Sequence, residues 1–325
     1  MIDRIPSGTR DVLPDEMREL RAMTERVRAV FEAAGYGEVA TPALEYESTF
    51  GRSGMAGGRP AYQVFDEEGN MLILRADMTV PIARLVATRY ASAEPPLRFC
   101  YFAHAYRGVR PQRGQSREFL QAGVELIGSP GPEGTAEALA VLCAALDAAG
   151  LETYRVGLGD ASLYPFLLDA LGVAPERSER ILAELVRGDF VGVEREVHEL
   201  GLGAEPAELL LRVPRTRGGA EVLENLEEPL RGALTGMLEV QALLTPEVAE
   251  RIIFDLGLVR SFGYYTGAVF QVYDPAYGVP LGSGGRYDEL LGVFGRPLPA
   301  VGFALNVERL HIALTGEERG RGTRA

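Results

Sequence analysis

Four short stretches of the sequence combine carboxylate, amide, arginine and phenol side chains at spacings that could build one polar pocket. They are RADMT (75–79), QAGVE (121–125), RSFGYYTG (260–267) and GSGGRYD (282–288). Residues two or four apart on a strand share a face, which would place Gln121 beside Glu125 and, if the strand persists that far, Asp77 beside Thr79. Carboxylates can bind an ammonium group, an arginine can bind a carboxylate, and phenols can pack against a ring. If one sheet face gathers these stretches, they predict a pocket for an amino acid.

An arginine-rich segment lies beside one of these stretches. YRGVRPQRGQSREFLQAGVE (106–125) carries Arg107, Arg110, Arg113 and Arg117 in a chain of formal net charge −13. A loop of this kind is usually a solvated surface loop, but clustered arginines in an acidic protein also favour an anionic partner. The sequence leaves both interpretations open.

Each of the four stretches also has a simpler structural interpretation. A glutamate or glutamine on a strand is more often a solvated surface residue. The pair Tyr264 and Tyr265 could equally be a half-buried strand edge. The GSGG run is not a GxGxxG phosphate loop. Spacing alone therefore indicates an amino-acid pocket without excluding these alternatives.

The composition excludes several functional classes. The 325 residues include 33 basic and 46 acidic side chains, so a general attraction to nucleic-acid backbones is absent. Every basic residue is an arginine, which rules out a lysine Schiff base and a P-loop lysine. Two distant cysteines and three scattered histidines predict neither a metal site nor a bound cofactor. The N-terminus lacks the apolar core of a signal peptide, and no apolar run approaches about 18 residues, so we predict a cytoplasmic protein without a membrane segment.

The pattern of elements predicts an α+β fold. Helical periodicity follows Pro14, a hairpin and a helix follow in 62–90, and two long strands flank the arginine-rich loop. Antiparallel hairpins with helices around them are typical of α+β domains rather than of doubly wound sheets. Residues 173–244 carry helical patterns with almost no strand signal and predict a helical insertion between 1–172 and 245–325. We expect the tail TGEERGRGTRA to be frayed.

The order of these segments resembles the catalytic domain of class II aminoacyl-tRNA synthetases, and within that class the histidyl-tRNA synthetases. PSGTRDVLPDE is similar to that family's opening. The helix and strand ending at Pro42 resemble the dimer-forming motif 1, residues 106–125 resemble motif 2, and GFALNVERL resembles motif 3. LVRSFGYYTGAVFQ and GSGGRYDEL are similar to the two histidine signatures. The resemblance covers nearly the whole chain and implies an antiparallel sheet flanked by helices, with an inserted helical subdomain.

The resemblance also implies a histidine-binding role for particular residues. Asp77, Thr79 and Gln121 would contact the amino group of histidine. Arg107 and Arg260 would lie on its carboxylate side. The imidazole region would be formed by Glu125, Tyr265 and Tyr287, with Tyr264 beside them.

Several positions depart from the synthetase pattern. The acid that meets adenine in motif 2 is Val109 here, and an arginine that holds the triphosphate is Gln115. Each lost contact removes about 1.5 to 3 kcal/mol of binding, so we predict that ATP activation fails. Asp77 shortens the expected acid, Gly263 replaces an acid before the tyrosine pair, and Asn306 replaces a motif 3 glycine.

The resemblance further implies that the C-terminal anticodon-binding domain of the synthetases, about 100 residues long, is missing. With the negative net charge, this leads us to expect no tRNA or other nucleic-acid partner.

This combination resembles the family of ATP phosphoribosyltransferase regulatory subunits. Such proteins have lost aminoacylation and assemble with the short-form catalytic subunit, which joins ATP to phosphoribosyl pyrophosphate in the first step of histidine biosynthesis. The resemblance implies a non-catalytic chain, required for full activity and for feedback inhibition by L-histidine, that dimerises through its motif 1 region. Two alternatives remain open: an active synthetase paralogue that adenylates histidine or another substrate, and a truncated synthetase whose anticodon domain is encoded elsewhere.

Overall fold

The computed structural model describes residues 5–52, 61–108, 116–224, 226, 228–258 and 264–322. In this part of the chain, nine strands form a central sheet and three form a small one. The strands are β1 Gly37–Glu38, β2 Leu44–Tyr46, β3 Gln63–Phe65, β4 Met71–Leu74, β5 Leu97–Tyr106, β6 Glu118–Ile127, β7 Arg155–Asp160, β8 Arg217–Gly218, β9 Ile252–Asp255, β10 Ala268–Asp274, β11 Tyr277–Arg286 and β12 Ala300–Asn306.

Antiparallel pairs dominate the central sheet. Its order is β1-β5-β6-β12-β11-β10-β7-β9-β8, and only the pairs β1–β5 and β7–β9 are parallel among the described strands. The helices are α1 Pro14–Ala33, α2 Glu47–Arg52, α3 Thr79–Arg89, α4 Gly131–Ala149, α5 Leu163–Ala170, α6 Pro175–Arg187, α7 Phe190–Glu199, α8 Ala204–Arg212, α9 Leu230–Ala233, α10 Thr235–Leu243, α11 Pro246–Ala249, α12 Leu290–Val293 and α13 Val307–Gly322. The predicted α+β class, an antiparallel sheet flanked by helices, is confirmed.

Side chains of the long hairpin β5–β6 point alternately to the two faces of the central sheet. Its register runs from Leu97 opposite Ile127 to Tyr106 opposite Glu118. Side chains alternate between faces along a strand, so Ala122 and Val124 turn into the main hydrophobic core. Gln121 and Glu125 face the opposite side, which carries the candidate site.

Helices α1 and α4 cover the core face because each presents an apolar stripe at helical spacing. In α1 the side chains of Leu20, Met23, Val27 and Phe31 are buried, and a proline occupies the first turn. Helix α4 ends at Gly150, whose φ of 103° lies in the left-handed region that glycine adopts without strain. The predicted helix after Pro14 is confirmed.

The small sheet β2-β4-β3 lies beside α3 and precedes the site in the chain. Its β3–β4 turn is closed by the Asp66 carboxylate, which accepts hydrogen bonds from the backbone N–H groups of Glu68 and Asn70 at 3.0 and 2.8 Å. On the inner side, Arg84 of α3 donates to Glu45 of β2 at 2.6 Å. The small sheet is therefore tied to the helix whose first turn enters the site.

The segment between residues 175 and 249 is helical in its described part, apart from the two-residue strand β8 at the edge of the central sheet. Helices α6, α7 and α8 pack against one another and continue the main core through Ile181, Val197 and Leu210. The division of the chain at residues 172 and 244 stays a prediction.

The C-terminal tail differs from the sequence expectation. Instead of fraying after residue 314, α13 continues to Gly322. The carboxylate of Glu317 is buried and accepts hydrogen bonds from the backbone N–H of Glu152 at 3.0 Å and of Thr153 at 2.9 Å. It also accepts one from the Thr153 hydroxyl at 2.7 Å. The prediction was wrong because these long-range contacts leave no periodic signal in the local sequence.

Within the described ranges, no helix combines the length and the apolar character needed to cross a bilayer. The same ranges contain no group of three or more histidine, cysteine or carboxylate side chains arranged to hold a metal ion.

Candidate functional site

Four adjacent strands carry the floor of the candidate site. Phe99, Glu125, Gly302 and Gly285 lie side by side across β5, β6, β12 and β11. Gln121 shares the face of Glu125 because the two are four residues apart on β6. The sheet thus joins QAGVE to GSGGRYD, although the two stretches lie far apart in the chain.

Glu125 is the centre of the site. Its side chain is 1% exposed. The Thr79 hydroxyl donates to Oε1 at 2.8 Å, and the Tyr287 hydroxyl donates to Oε2. Burial raises the pKa of Glu125 to about 8; the hydrogen bonds from Tyr287 and Thr79 oppose this shift, and the nearby Asp77 charge adds to it. Glu125 is therefore largely protonated at neutral pH, and a cation bound beside it would favour release of that proton.

Glycines leave the space that these side chains occupy. A Cβ at Gly302 would lie 1.9 Å from Glu125 Oε2 and 2.5 Å from the Val124 carbonyl oxygen. A Cβ at Gly285 would lie 2.7 Å from Cδ1 of Tyr265. Since real side chains do not approach so closely, Glu125 and Tyr265 can lie over the sheet only because these neighbours are glycines.

A cluster of tyrosines forms one wall of the site. The rings of Tyr264 and Tyr265 have centroids 4.9 Å apart, and Tyr264 meets Tyr287 edge-on at 5.8 Å. Burial raises the pKa values of Tyr264 and Tyr287 well above the usual value for a phenol. Both therefore remain neutral phenols that can donate hydrogen bonds, and Tyr265, which is half-buried, lies nearer the solvent.

Asp77 and Thr79 enter the site in a way that the sequence did not predict. The strand does not persist to these residues: β4 ends at Leu74 and α3 begins at Thr79. The Asp77 carboxylate accepts a hydrogen bond from the Val80 N–H at 3.3 Å, as capping residues do at a helix start. The condition for a shared strand face, that the strand persists to residues 77–79, is therefore not met, and the first turn of α3 brings Thr79 to Glu125 instead.

Gln121 and Arg107 lie at the other end of the same surface. Gln121 is 5% exposed, and within the described residues its Oε1 accepts no hydrogen bond. Buried amide oxygens are rarely left unsatisfied. Arg107 donates from Nε to the Ala76 carbonyl at 3.1 Å, and its guanidinium carbon lies 4.8 Å from the ring centroid of Phe119. A ligand group with a donor N–H would satisfy the Gln121 oxygen.

Most of the predicted site residues meet around one region. Thr79 and Tyr287 contact Glu125 directly, and Tyr264 packs between Tyr265 and Tyr287. Arg260 lies outside the described residues, as do Val109, Gln115 and Gly263. Together, the described groups offer carboxylate and amide acceptors, hydroxyl donors and aromatic faces, which are the groups that bind an ammonium and a nitrogen ring.

Two contributors to the site, Tyr101 and Gly302, were not predicted from the sequence. Tyr101 is fully buried, and its hydroxyl lies 2.4 Å from where a Cβ at Gly123 would stand. Gly302 was noted only as part of the motif 3 resemblance. The alternation of Phe99, Tyr101 and Ala103 on β5 could have indicated the tyrosine, because that strand pairs directly with QAGVE.

Two residues of the motif 3 region, Asn306 and Arg309, make hydrogen bonds within the chain. Arg309 donates from Nη1 to the Pro280 carbonyl at 2.7 Å. Asn306 accepts a hydrogen bond from the Arg309 N–H at 2.9 Å and so caps the start of α13. The asparagine that replaces a motif 3 glycine therefore has a structural role in this chain.

The raised pKa of Glu125 predicts a particular dependence of stability on pH. The folded chain keeps the proton up to about pH 8, whereas the unfolded chain loses it near 4.5. Over this interval the folded state binds more protons, so the group makes the free energy of unfolding fall as pH rises. We expect Glu125→Gln to remove this slope, a relative change of about 3 kcal/mol between roughly pH 5 and 8.

Urea unfolding at several pH values measures this slope, and Glu118→Gln on the exposed start of the same strand is the control. Equal slopes for the wild type and Glu125→Gln would contradict a protonated Glu125.

Comparisons with known proteins agree with this architecture. The histidyl-tRNA synthetase family model matches residues 8–310. A curated relative from Symbiobacterium thermophilum, named ATP phosphoribosyltransferase regulatory subunit, is 43% identical over 323 residues, covering 95% of this chain and 79% of the relative. A crystal structure from Bacillus halodurans C, described as an ATP phosphoribosyltransferase regulatory subunit/histidyl-tRNA synthetase, matches with TM-score 0.89 and 36% identity over 97% of this chain and 84% of that one. A histidine–tRNA ligase subunit from Alicyclobacillus acidocaldarius matches with TM-score 0.76 and 31% identity over 98% of both chains.

The fold is that of a class II aminoacyl-tRNA synthetase-like protein. The chain belongs to the histidyl-tRNA synthetase-like family of ATP phosphoribosyltransferase regulatory subunits. The family predicted from the order of the sequence motifs is confirmed.

Proposed function

We propose that this chain is the non-catalytic regulatory subunit of a hetero-oligomeric ATP phosphoribosyltransferase in the cytoplasm. In this role it is required for the activity of the short-form catalytic subunit and for feedback inhibition by L-histidine in the first step of histidine biosynthesis. The observation that carries the proposal is the 43% identity, across 95% of the chain, to a relative named for this role. A second relative of the same name, from Moorella thermoacetica, is 41% identical.

The geometry of the site supports L-histidine as the ligand. Glu125 can accept an N–H from an imidazole, and its buried carboxyl can change protonation to match a cationic ligand. Gln121 offers an unused acceptor oxygen for an ammonium group. Asp77 and Thr79 lie at the start of α3, where the Thr79 hydroxyl donates to Glu125. Arg107 and Arg260 would bind the carboxylate of the amino acid.

The ATP half of an aminoacylation site is altered in the sequence. Val109 offers no acceptor for adenine, and Gln115 offers no positive charge for a triphosphate. Arg309, an arginine of motif 3, already donates to the Pro280 carbonyl. A pocket that binds histidine but cannot activate it with ATP suits a sensor, because a ligand regulates an assembly through its different affinities for two states.

A second copy of the chain would cover the outer face of the small sheet. Leu44, Tyr46 and Val64 are exposed there, with Tyr46 55% exposed, and Leu72 and Leu74 lie between them in register. This apolar face begins at Leu44, two residues after the end of the segment that resembles the dimer-forming motif 1. Light scattering should then give twice the chain mass of 35.2 kDa, and a mass of one chain would contradict the dimer.

Reconstitution tests the proposed function. The chain should co-purify with the short-form catalytic subunit from the same genome and raise its rate of phosphoribosyl transfer by about tenfold or more, the scale of an allosteric coupling free energy. A variant such as Glu318→Ala, on an exposed position of α13, should activate equally and serves as the control. An unchanged rate after addition of the chain would overturn the proposal.

Pyrophosphate exchange into ATP distinguishes the proposal from an active synthetase paralogue. The proposal predicts no histidine-dependent exchange, because Val109 and Gln115 remove the contacts that hold ATP. Exchange above the background without enzyme would instead show an intact adenylation site.

A further inference from the structure

Arg75 connects three segments of the chain at a buried junction. Its side chain is 7% exposed. Nε donates to the His104 carbonyl at 2.8 Å, and Nη1 donates to the carbonyls of Thr41 and Pro42 at 2.6 and 3.1 Å. Burial lowers the pKa of Arg75. A buried guanidinium is tolerated only when its donors are satisfied, so these carbonyls are held in fixed positions.

The backbone of the same residue strengthens the junction. The Arg75 N–H donates to the Ala43 carbonyl at 2.9 Å, and its carbonyl accepts from the Tyr106 N–H at 2.9 Å. Residues 41–43 lead directly into β2, and Tyr106 ends β5. Arg75 therefore fixes the entry to the small sheet relative to the long hairpin of the central sheet.

The junction lies immediately before the candidate pocket in the chain. The next residue, Ala76, accepts a hydrogen bond from Arg107 at 3.1 Å. Asp77 caps α3, and Thr79 donates to Glu125. A ligand that repositions residues 77–79 therefore acts two to four residues from Arg75, whose guanidinium contacts the carbonyls of Thr41 and Pro42.

We propose that Arg75 is a positioning residue that couples occupancy of the amino-acid pocket to the outer face of the small sheet. The inference rests on the proposed function, since it takes L-histidine as the ligand. It adds a route through the chain: from Thr79 and Asp77, through Arg75, to the carbonyls of residues 41 and 42 and so to β2. A lysine cannot replace this arginine, because a compact ammonium cannot reach the His104 and Thr41 carbonyls together.

Hydrogen exchange measured with and without saturating L-histidine tests the coupling in the full chain. We expect L-histidine to slow exchange by about fivefold or more at residues 77–80 and at 43–46 in the wild type. In Arg75→Lys the protection at 77–80 should remain, with the histidine dissociation constant within about threefold of the wild-type value, and the protection at 43–46 should disappear. Arg98→Lys is the matched control: its guanidinium bonds Glu137 at 2.8 Å and touches neither segment, so it should behave like the wild type.

The outcomes separate the inference from the proposed function. Persistent protection at 43–46 in Arg75→Lys overturns the coupling, as does wild-type protection confined to 77–80. An absence of any protection at 77–80 in the wild type overturns the proposed histidine site, and the inference with it. Circular dichroism establishes that the variant is folded, and Arg75→Met, which removes every guanidinium contact, must give the same loss at 43–46.

Discussion

Replacement of Glu125 by methionine should lower the affinity of the chain for L-histidine by about 100-fold or more. Methionine keeps the length of the side chain but removes the carboxylate that the Thr79 and Tyr287 hydroxyls contact. The imidazole N–H would lose its acceptor, and so would the buried Tyr287 hydroxyl and the half-buried Thr79 hydroxyl. Sites built around such hydrogen bonds discriminate strongly, because each unpaired buried group costs its full desolvation.

Isothermal titration calorimetry measures this loss. Glu118→Met is the matched control, because Glu118 begins the same strand but is exposed to solvent, and it should leave the affinity within about twofold of the wild type. If Glu125→Met binds L-histidine as tightly as the wild type does, Glu125 is not part of the ligand site.

Gly302→Ala should destabilise the chain by about 3 kcal/mol and displace Glu125 from its position. The added Cβ would stand 1.9 Å from Glu125 Oε2 and 2.5 Å from the Val124 carbonyl oxygen, which belongs to the neighbouring strand. The carboxylate can move only by breaking its contacts with Thr79 and Tyr287, and the backbone carbonyl can move only by distorting the pairing of β6 with β12. We therefore expect reduced stability together with lost histidine binding.

Gly278→Ala isolates the steric effect from the general effect of replacing a glycine in a strand. Gly278 lies on β11, and a Cβ there would meet no atom within 4 Å. Chemical denaturation should give this control a stability within about 0.5 kcal/mol of the wild type. If Gly302→Ala has the same stability and normal histidine affinity, the site does not require a glycine at position 302.

Local patterns in the sequence were sufficient to predict the long hairpin and the face shared by Gln121 and Glu125. A strand alternates strictly, so spacing fixes the face on which a side chain lies. The capping role of Asp77 was not predicted, because the local sequence does not show where β4 ends and α3 begins. Backbone hydrogen bonds, which the sequence does not reveal, decide between the two. The extension of α13 was also missed, since Glu317 is held by residues 152 and 153, far away in the chain.

The tertiary contacts of the site were beyond the reach of local reasoning. Glu125 meets Thr79 and Tyr287 across 46 and 162 residues of chain. Nothing in the spacing of the glycines indicates that Gly302 leaves space for one carboxylate and Gly285 for one tyrosine ring. The family resemblance indicated Thr79, Glu125 and Tyr287 because a family pattern reflects the geometry of a whole fold. Periodicity reflects the geometry of one element only.

Under the proposed function, the glycines beneath Glu125, the buried glutamate and the Arg75 junction would let the chain sense an amino acid and transmit its binding to another surface. Such a sensor needs a pocket that is complete in the folded chain and a rigid link to a protein interface. In the proposed sensor, Glu125 and its hydroxyl partners would supply the first, and the buried guanidinium of Arg75 would supply the second.

Feedback inhibition through the proposed histidine site is tested most directly by titrating L-histidine into the reconstituted complex of this chain with the short-form catalytic subunit while phosphoribosyl transfer is measured. We predict that L-histidine suppresses the rate in the wild-type complex, and that with Glu125→Met the inhibition requires about 100-fold more ligand. Inhibition that is identical in both complexes, or absent from the wild-type complex, would contradict a regulatory histidine site in this chain.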